Sequence, residues 1–135
     1  MLQRVDVGRK SLEQYRQVIG AERLDELREL ARPLQGKRVA QINATSYGGG
    51  VSELLRSVVP LYRALGIHAD WLVIPGKQRF FETTKAIHNG LQGADVHLTD
   101  KDREVYLVHN HDIASAVEPG YDYVIVHDPQ PAALR

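Results

Sequence analysis

Three consecutive glycines, Gly48, Gly49 and Gly50, stand between the short apolar segment KRVAQIN and the run VSELLRSVVPLYRALG. Glycines at a helix N-terminus leave backbone N–H groups unshielded, and such N–H groups bind anions well. A diphosphate or a sugar hydroxyl could approach closely there. The loop is not a Walker A loop, because no Lys-Ser/Thr pair follows it, and the dinucleotide fingerprint fails because Glu53 occupies the third glycine position. A permissive turn that lets helix and strand pack closely is the plainer reading. The position directly after a strand favours binding.

His127 and Asp128 close the segment YDYVIVHD. If that segment is a strand of an open α/β sheet, both residues fall at its carboxyl end, where the ligand crevice of such sheets lies. Asp128 before Pro129 also suits an ordinary turn, and His127 a satisfied structural histidine. The convergence of two loops on one rim favours function. His109, His111 and Asp112 suggest a metal, yet on a helix the i,i+2 histidines point to different faces, so no metal site is expected. His68, His97 and Trp71 read as surface or core residues. A Ser-based triad would need a G-x-S-x-G elbow, which is missing, and no carboxylate pair suggests a hydrolase.

The elements that must position these residues follow from periodicity. Residues 37–43 form a first strand, residues 51–65 a helix ending at Gly66, and residues 68–74 a second strand that stops at Pro75-Gly76. Strand, helix and strand make a βαβ crossover with parallel strands. Residues 80–91 and 99–116 read as two helices, the latter opened by a Thr99/Asp102 capping box, and residues 121–127 as the third strand. A further helix is expected to begin after Asp128-Pro129. Ahead of all this, residues 12–19 and 21–32 form a helical pair broken at Gly20, with Leu24, Leu27 and Ala31 on the packed face. The expected fold is α/β and partly Rossmann-like, with a three-stranded parallel sheet of order 2-1-3. It divides into an N-terminal helical segment, residues 1–36, and half of a doubly wound domain, residues 37–135.

Composition narrows the partners. The chain of 135 residues has 17 basic and 17 acidic side chains and no cysteine. No net positive field draws nucleic acid or anionic lipid, and no disulfide framework or thiolate chemistry is available. No apolar stretch is of signal-peptide or membrane-spanning length, so a cytoplasmic location is expected.

Read together, NATSYGGGVSELL, KAIHNGLQG and YVIVHDPQPAAL resemble the N-terminal part of the trehalose synthase branch of retaining GT-B glycosyltransferases. That resemblance implies one of two facing Rossmann-like domains, the one on the acceptor side of the cleft, and glucosyl transfer from a nucleotide sugar to glucose with retention. It implies that Gly48, Gly49 and Gly50 approach the donor diphosphate, that His127 and Asp128 line the transfer centre, and that His88, Asn89, Gln92 and Gln130 hold acceptor hydroxyls. No cofactor or metal is implied. The second half of this domain and the nucleotide-binding domain of the family pattern are missing from this sequence, so the chain alone is expected to be inactive. The nearest enzyme alternative is a trehalose phosphorylase. A different class is a non-catalytic half-Rossmann binding or assembly module. The apolar third strand, without Lys or Pro to protect its edge, leads to the expectation of a homo-oligomer.

Overall fold

The computed structural model describes residues 1–134 of the chain. Four strands form one mixed sheet in the order β1-β3-β2-β4, where β1 is Gln3–Arg4, β2 Arg38–Asn43, β3 His68–Val73 and β4 Tyr123–Val126. Four helices accompany them: α1 (Glu13–Ala31), α2 (Gly50–Ala64), α3 (Gln78–Leu91) and α4 (Asp100–Ala114).

The sheet corrects the expected three-stranded parallel one in count, and the added edge strand changes the order of the whole sheet, while its three parallel strands run β3-β2-β4. The fourth strand, β1, pairs antiparallel with β3 through Gln3 opposite Val73 and Arg4 opposite Leu72. A strand of two residues carries no alternation for a sequence pattern to register. Inside this mixed sheet β2 pairs in parallel with β3 on one side and with β4 on the other. The β2–α2–β3 segment is therefore the parallel crossover that the pattern of residues 37–74 describes.

Local chemistry explains the element boundaries. Within α1 the helix breaks at Gly20, whose φ of 79° and ψ of 166° separate two helical stretches. Ser11 begins the first stretch, its hydroxyl accepting the Glu13 N–H at 3.3 Å while Gln14 Oε1 accepts the Ser11 N–H at 3.4 Å. Thr99 and Asp102 form a reciprocal capping box at the start of α4, satisfying two helix-end donors at once. After β4 the chain does not enter the expected helix. Residues 129–134 form turns closed by the Ala132 and Leu134 N–H groups on the Pro129 and Pro131 carbonyls.

Alternation along the strands sorts the core into two layers. On one face Ala69, Trp71 and Val73 pack with Val5 and with Leu55 and Val59 of α2. On the other, Ala40, Ile42, Leu72 and Ile74 pack with Phe80 of α3 and Ile113 of α4. The two layers lie on opposite faces of the sheet, and β3 contributes to both. No helix of the described residues is long and apolar enough to cross a membrane.

Candidate functional site

The rim at the carboxyl ends of β2 and β4 is built from the strands outward. β2 carries two polar residues on one face, Gln41 and Asn43, and both are buried. A buried amide needs partners, because leaving one unsatisfied costs about 1–3 kcal/mol. Asn43 has them on both sides. Its Oδ1 accepts the Trp71 indole N–H at 2.8 Å, and its Nδ2 donates to the Thr45 carbonyl at 2.7 Å.

This second bond fixes the first turn of the loop that carries the glycines. The Ser52 hydroxyl of α2 donates to the same Thr45 carbonyl at 2.9 Å, and Arg56 donates to the Ser46 carbonyl at 2.9 Å. Thr45 Oγ1 in turn accepts the Tyr47 N–H at 3.1 Å. The loop is thus held from below by Asn43 and from behind by α2. Its outer side is open: Gly48, Gly49 and Gly50 are exposed, and a Cβ added at any of them would meet no atom within 4 Å.

The three glycines differ. Gly48 at φ 68° and Gly49 at φ 81° adopt the left-handed region that disfavours a side chain, whereas Gly50 opens α2 with no such constraint. Neither crowding nor backbone conformation demands glycine at position 50. An approaching ligand would.

Gln41 organises the other loop. Its Oε1 lies 2.7 Å from His127 Nε2, and the His127 N–H donates to the Ile42 carbonyl at 2.9 Å. An amide oxygen only accepts, so Nε2 is the donor in this pair and the bond fixes the orientation of the ring. His127 is half-buried, while Asp128 beside it is exposed and has φ 68°. Asp tolerates that conformation better than most residues, yet it remains an uncommon one, reached here at the strand end facing the rim. Asp128 is the only non-glycine with positive φ among the described residues.

The structure therefore brings Gly48, Gly49, Gly50, His127 and Asp128 to the carboxyl ends of two neighbouring parallel strands. Gln130 follows in the next turn, half-buried, with Oε1 buried and without a partner among the described residues. His88, Asn89 and Gln92 are placed differently. They lie at the far end of α3, about 15 Å along the helix axis from its start. Among the described residues no hydrogen bond joins them to either loop. His109, dismissed as a ligand, packs its ring on Phe80 with centroids 3.9 Å apart and bonds the Pro75 carbonyl. Among the described residues no three His, Asp or Glu side chains gather in a metal-binding cluster.

Gln41, Asn43, Ser52 and Arg56 escaped the sequence reading. Their signal was available in part: Gln41 and Asn43 alternate with Ile42 in a strand flanked by helices, and a polar pair at period two on a buried strand needs a purpose.

The model for the family "Trehalose synthase, N-terminal domain" matches residues 41–135. A trehalose synthase of Rubrobacter xylanophilus is 51% identical over 138 residues, which covers 100% of this chain and 33% of the relative. One from Pyrococcus horikoshii is 46% identical, covering 94% of this chain and 31% of the relative. A trehalose phosphorylase of Pleurotus pulmonarius is more distant, at 30% identity over 96% of this chain and 20% of the relative. The chain spans about a third of the length of the trehalose synthases that it matches.

Proposed function

Because the chain belongs to the family of trehalose synthase N-terminal domains, we propose that it forms the acceptor side of a retaining GT-B glucosyltransferase that makes trehalose from a nucleotide-glucose and glucose. One observation carries the reading: the open glycine loop and the His127–Asp128 turn share the carboxyl rim of β2 and β4, tied to it by Asn43 and Gln41.

In that reaction the bond from the glucosyl C1 to the donor phosphate breaks, and a bond from C1 to the acceptor hydroxyl oxygen forms. The hydroxyl loses its proton and the nucleoside diphosphate leaves with the bonding pair. Negative charge grows on the departing phosphate, and N–H groups of the Gly48–Gly50 loop at the start of α2 are suited to stabilise it. His127 and Asp128 line the transfer centre, with the imidazole of His127 held in place by Gln41. Gln130, whose buried Oε1 has no partner among the described residues, accepts from the acceptor sugar, and His88, Asn89 and Gln92 bind it further out. The remaining two thirds of a relative-length protein supply the facing domain that clamps the nucleotide and excludes water. Without it, the chain alone does not turn over.

A chimaera tests this reading. This chain replaces the corresponding third of the Rubrobacter xylanophilus relative, and the product is assayed with nucleotide-glucose plus glucose and, separately, with trehalose plus phosphate. Trehalose formation in the first assay is expected. Phosphate-dependent turnover alone would favour the phosphorylase reading, and inactivity of a folded chimaera in both would favour a non-catalytic module.

Gly50→Ala sharpens the result. At an unstrained helical position this change leaves the isolated chain as stable as before or about 0.4–1 kcal/mol more stable. If the donor diphosphate approaches the backbone there, kcat/KM of the chimaera falls at least about tenfold, a loss of about 1.4 kcal/mol of transition-state binding. Unchanged turnover would reduce the glycine loop to a turn.

A further inference from the structure

One cleft of the described residues lies away from the glycine rim. It lies at the opposite end of the parallel strands, where Arg38 opens β2 and His68 opens β3, and it encloses about 700 Å³. The segment after β1 and the end of α2 form its walls. Five permanent cations line it, Arg4, Arg9, Lys10, Arg38 and Arg63, together with His68 and a single carboxylate, Asp70.

That carboxylate is already engaged. Asp70 accepts the Tyr121 hydroxyl at 2.9 Å and lies 3.6 Å from Arg4 and 3.7 Å from Arg63. Glu118 reaches in from outside, 3.4 Å from Arg4 and 3.9 Å from Arg38. Arg63 Nε also donates to the Ala69 carbonyl at 2.8 Å, so its guanidinium is held in place. Neither Arg9 nor Lys10 has a carboxylate within 4.0 Å among the described residues, and Lys10 makes only a 3.3 Å bond to Ser57. A chain whose formal charge sums to zero thus concentrates unneutralised positive charge in one concavity.

Like charges held together repel one another, and they gain most from an anion that contacts several at once. Guanidinium forks match phosphate oxygens in pairs, and a cleft of this size suits a ligand of nucleotide dimensions. We infer that the cleft at the amino ends of β2 and β3 binds a small molecule carrying a diphosphate, at a site separate from the glycine rim and lined by Arg4, Arg9, Lys10, Arg38 and Arg63. Arg63 and Arg38 supply a preset wall. Arg9 and Lys10, on the exposed segment before α1, close over the ligand from the solvent side.

Inorganic pyrophosphate and inorganic phosphate are the probes, titrated into the 135-residue chain while backbone amide shifts are followed by NMR. Pyrophosphate is expected to give saturable shifts at Arg9, Lys10, Gly66, Ile67 and His68, with affinity at least about tenfold above that of phosphate, because the second phosphate reaches further cations. The double variant R9A/K10A, which removes exposed side chains without carboxylate partners, is expected to weaken pyrophosphate by about tenfold or more. K85A, a cation elsewhere on the surface, is expected to leave it unchanged. Equal affinity for the two probes would overturn the diphosphate assignment. The site itself would be overturned by shifts confined to Gly48–Gly50, by an absence of saturable shifts, or by a loss in K85A equal to that in R9A/K10A.

Discussion

Two neighbours of β2 receive opposite treatment. On one side β3 is paired along both edges and covered on both faces, and Ala69, Trp71, Leu72 and Val73 are all buried. On the other side β4 is no less apolar, with the sequence Tyr-Val-Ile-Val, yet its side chains remain 38–49% exposed. Its inner edge bonds to β2 and its outer edge bonds to no strand of the described residues. A groove of about 450 Å³ lined by Leu27, Leu30, Tyr62, Tyr123 and Ile125 runs along one face, and one of about 350 Å³ lined by Ile42, Val117, Tyr121 and Val124 along the other. An apolar strand pattern states what a strand needs, and the contrast shows that a chain can meet this need at one strand and leave it open at the next.

The largest difference should appear in stability. Trp71 is fully buried against Leu55 and Val59 and holds Asn43 through its indole N–H. Trp71→Ala is expected to cost about 3–5 kcal/mol, and it also releases a buried amide oxygen. Ile125→Ala, on the exposed strand, is expected to cost less than about 1 kcal/mol. Urea unfolding followed by far-UV circular dichroism measures both, since Trp71 is the only tryptophan in the chain. Comparable losses at the two sites would show that β4 is buried in solution by something other than its own chain.

Association is the next test. We propose that in the isolated chain β4 meets a second copy, because an unpaired edge without Lys or Pro offers a complementary row of N–H and C=O groups to an identical strand. Light scattering should then give a mass that rises with concentration. Ile125→Lys places a charge in the larger of the two apolar grooves and is expected to raise the dissociation constant at least about tenfold, or about 1.4 kcal/mol, with the fold intact. A monomer at every concentration, with β4 amides exchanging freely, would mean that the edge is protected by other means.

The same contrast marks what the sequence makes legible. β2, β3 and β4 and their parallel pairing follow from short apolar runs separated by helical periodicity, and the α4 capping box from Thr99 and Asp102. Such signals are local and physical, a period or a side chain reaching its own backbone. The placement of the glycine loop and of His127 at one rim follows from topology alone. Three features were not legible. β1 is too short to have a period and exists only because β3 offers an edge. The turns over residues 129–134 stand where a proline near a first helical turn predicts a helix. The polar pair Gln41 and Asn43 shows at period two, but the partners they and Arg56 find, up to 86 residues away for His127, depend on which groups the fold brings together.

The smallest expected effect concerns how β4 is anchored where it enters the sheet. Asp122 precedes the strand, and its carboxylate accepts the Arg38 N–H at 2.8 Å and the Lys37 ammonium at 3.0 Å. The Arg38 backbone N–H, then the Lys37 ammonium, hold its carboxyl below the ordinary aspartate value. Asp102 is likewise lowered, by the Thr99 hydroxyl first and then by the Thr99 N–H. A group whose folded pKa lies below its unfolded value stabilises the fold above the unfolded value, and it loses that contribution as pH falls through the folded one. Stability attributable to either carboxylate should therefore be level from neutral pH down to about 5 and fall only below about 4, the ordinary aspartate range. Both side chains have access to solvent, which keeps each contribution modest. Asp122→Asn keeps one acceptor for the Arg38 N–H but cannot pair with Lys37 as a charge, so it should lower the urea midpoint slightly at pH 7 and flatten its decline below pH 4. Asp102→Asn should do the same through α4. Hydrogen exchange separates the two: acid should release the amides of Tyr123–Val126 in one case and the first turn of α4 in the other. If Asp122→Asn leaves the acid limb of the urea profile as steep as before, β4 is held by its ladder to β2 alone, and the exposed strand is more firmly seated than its environment suggests.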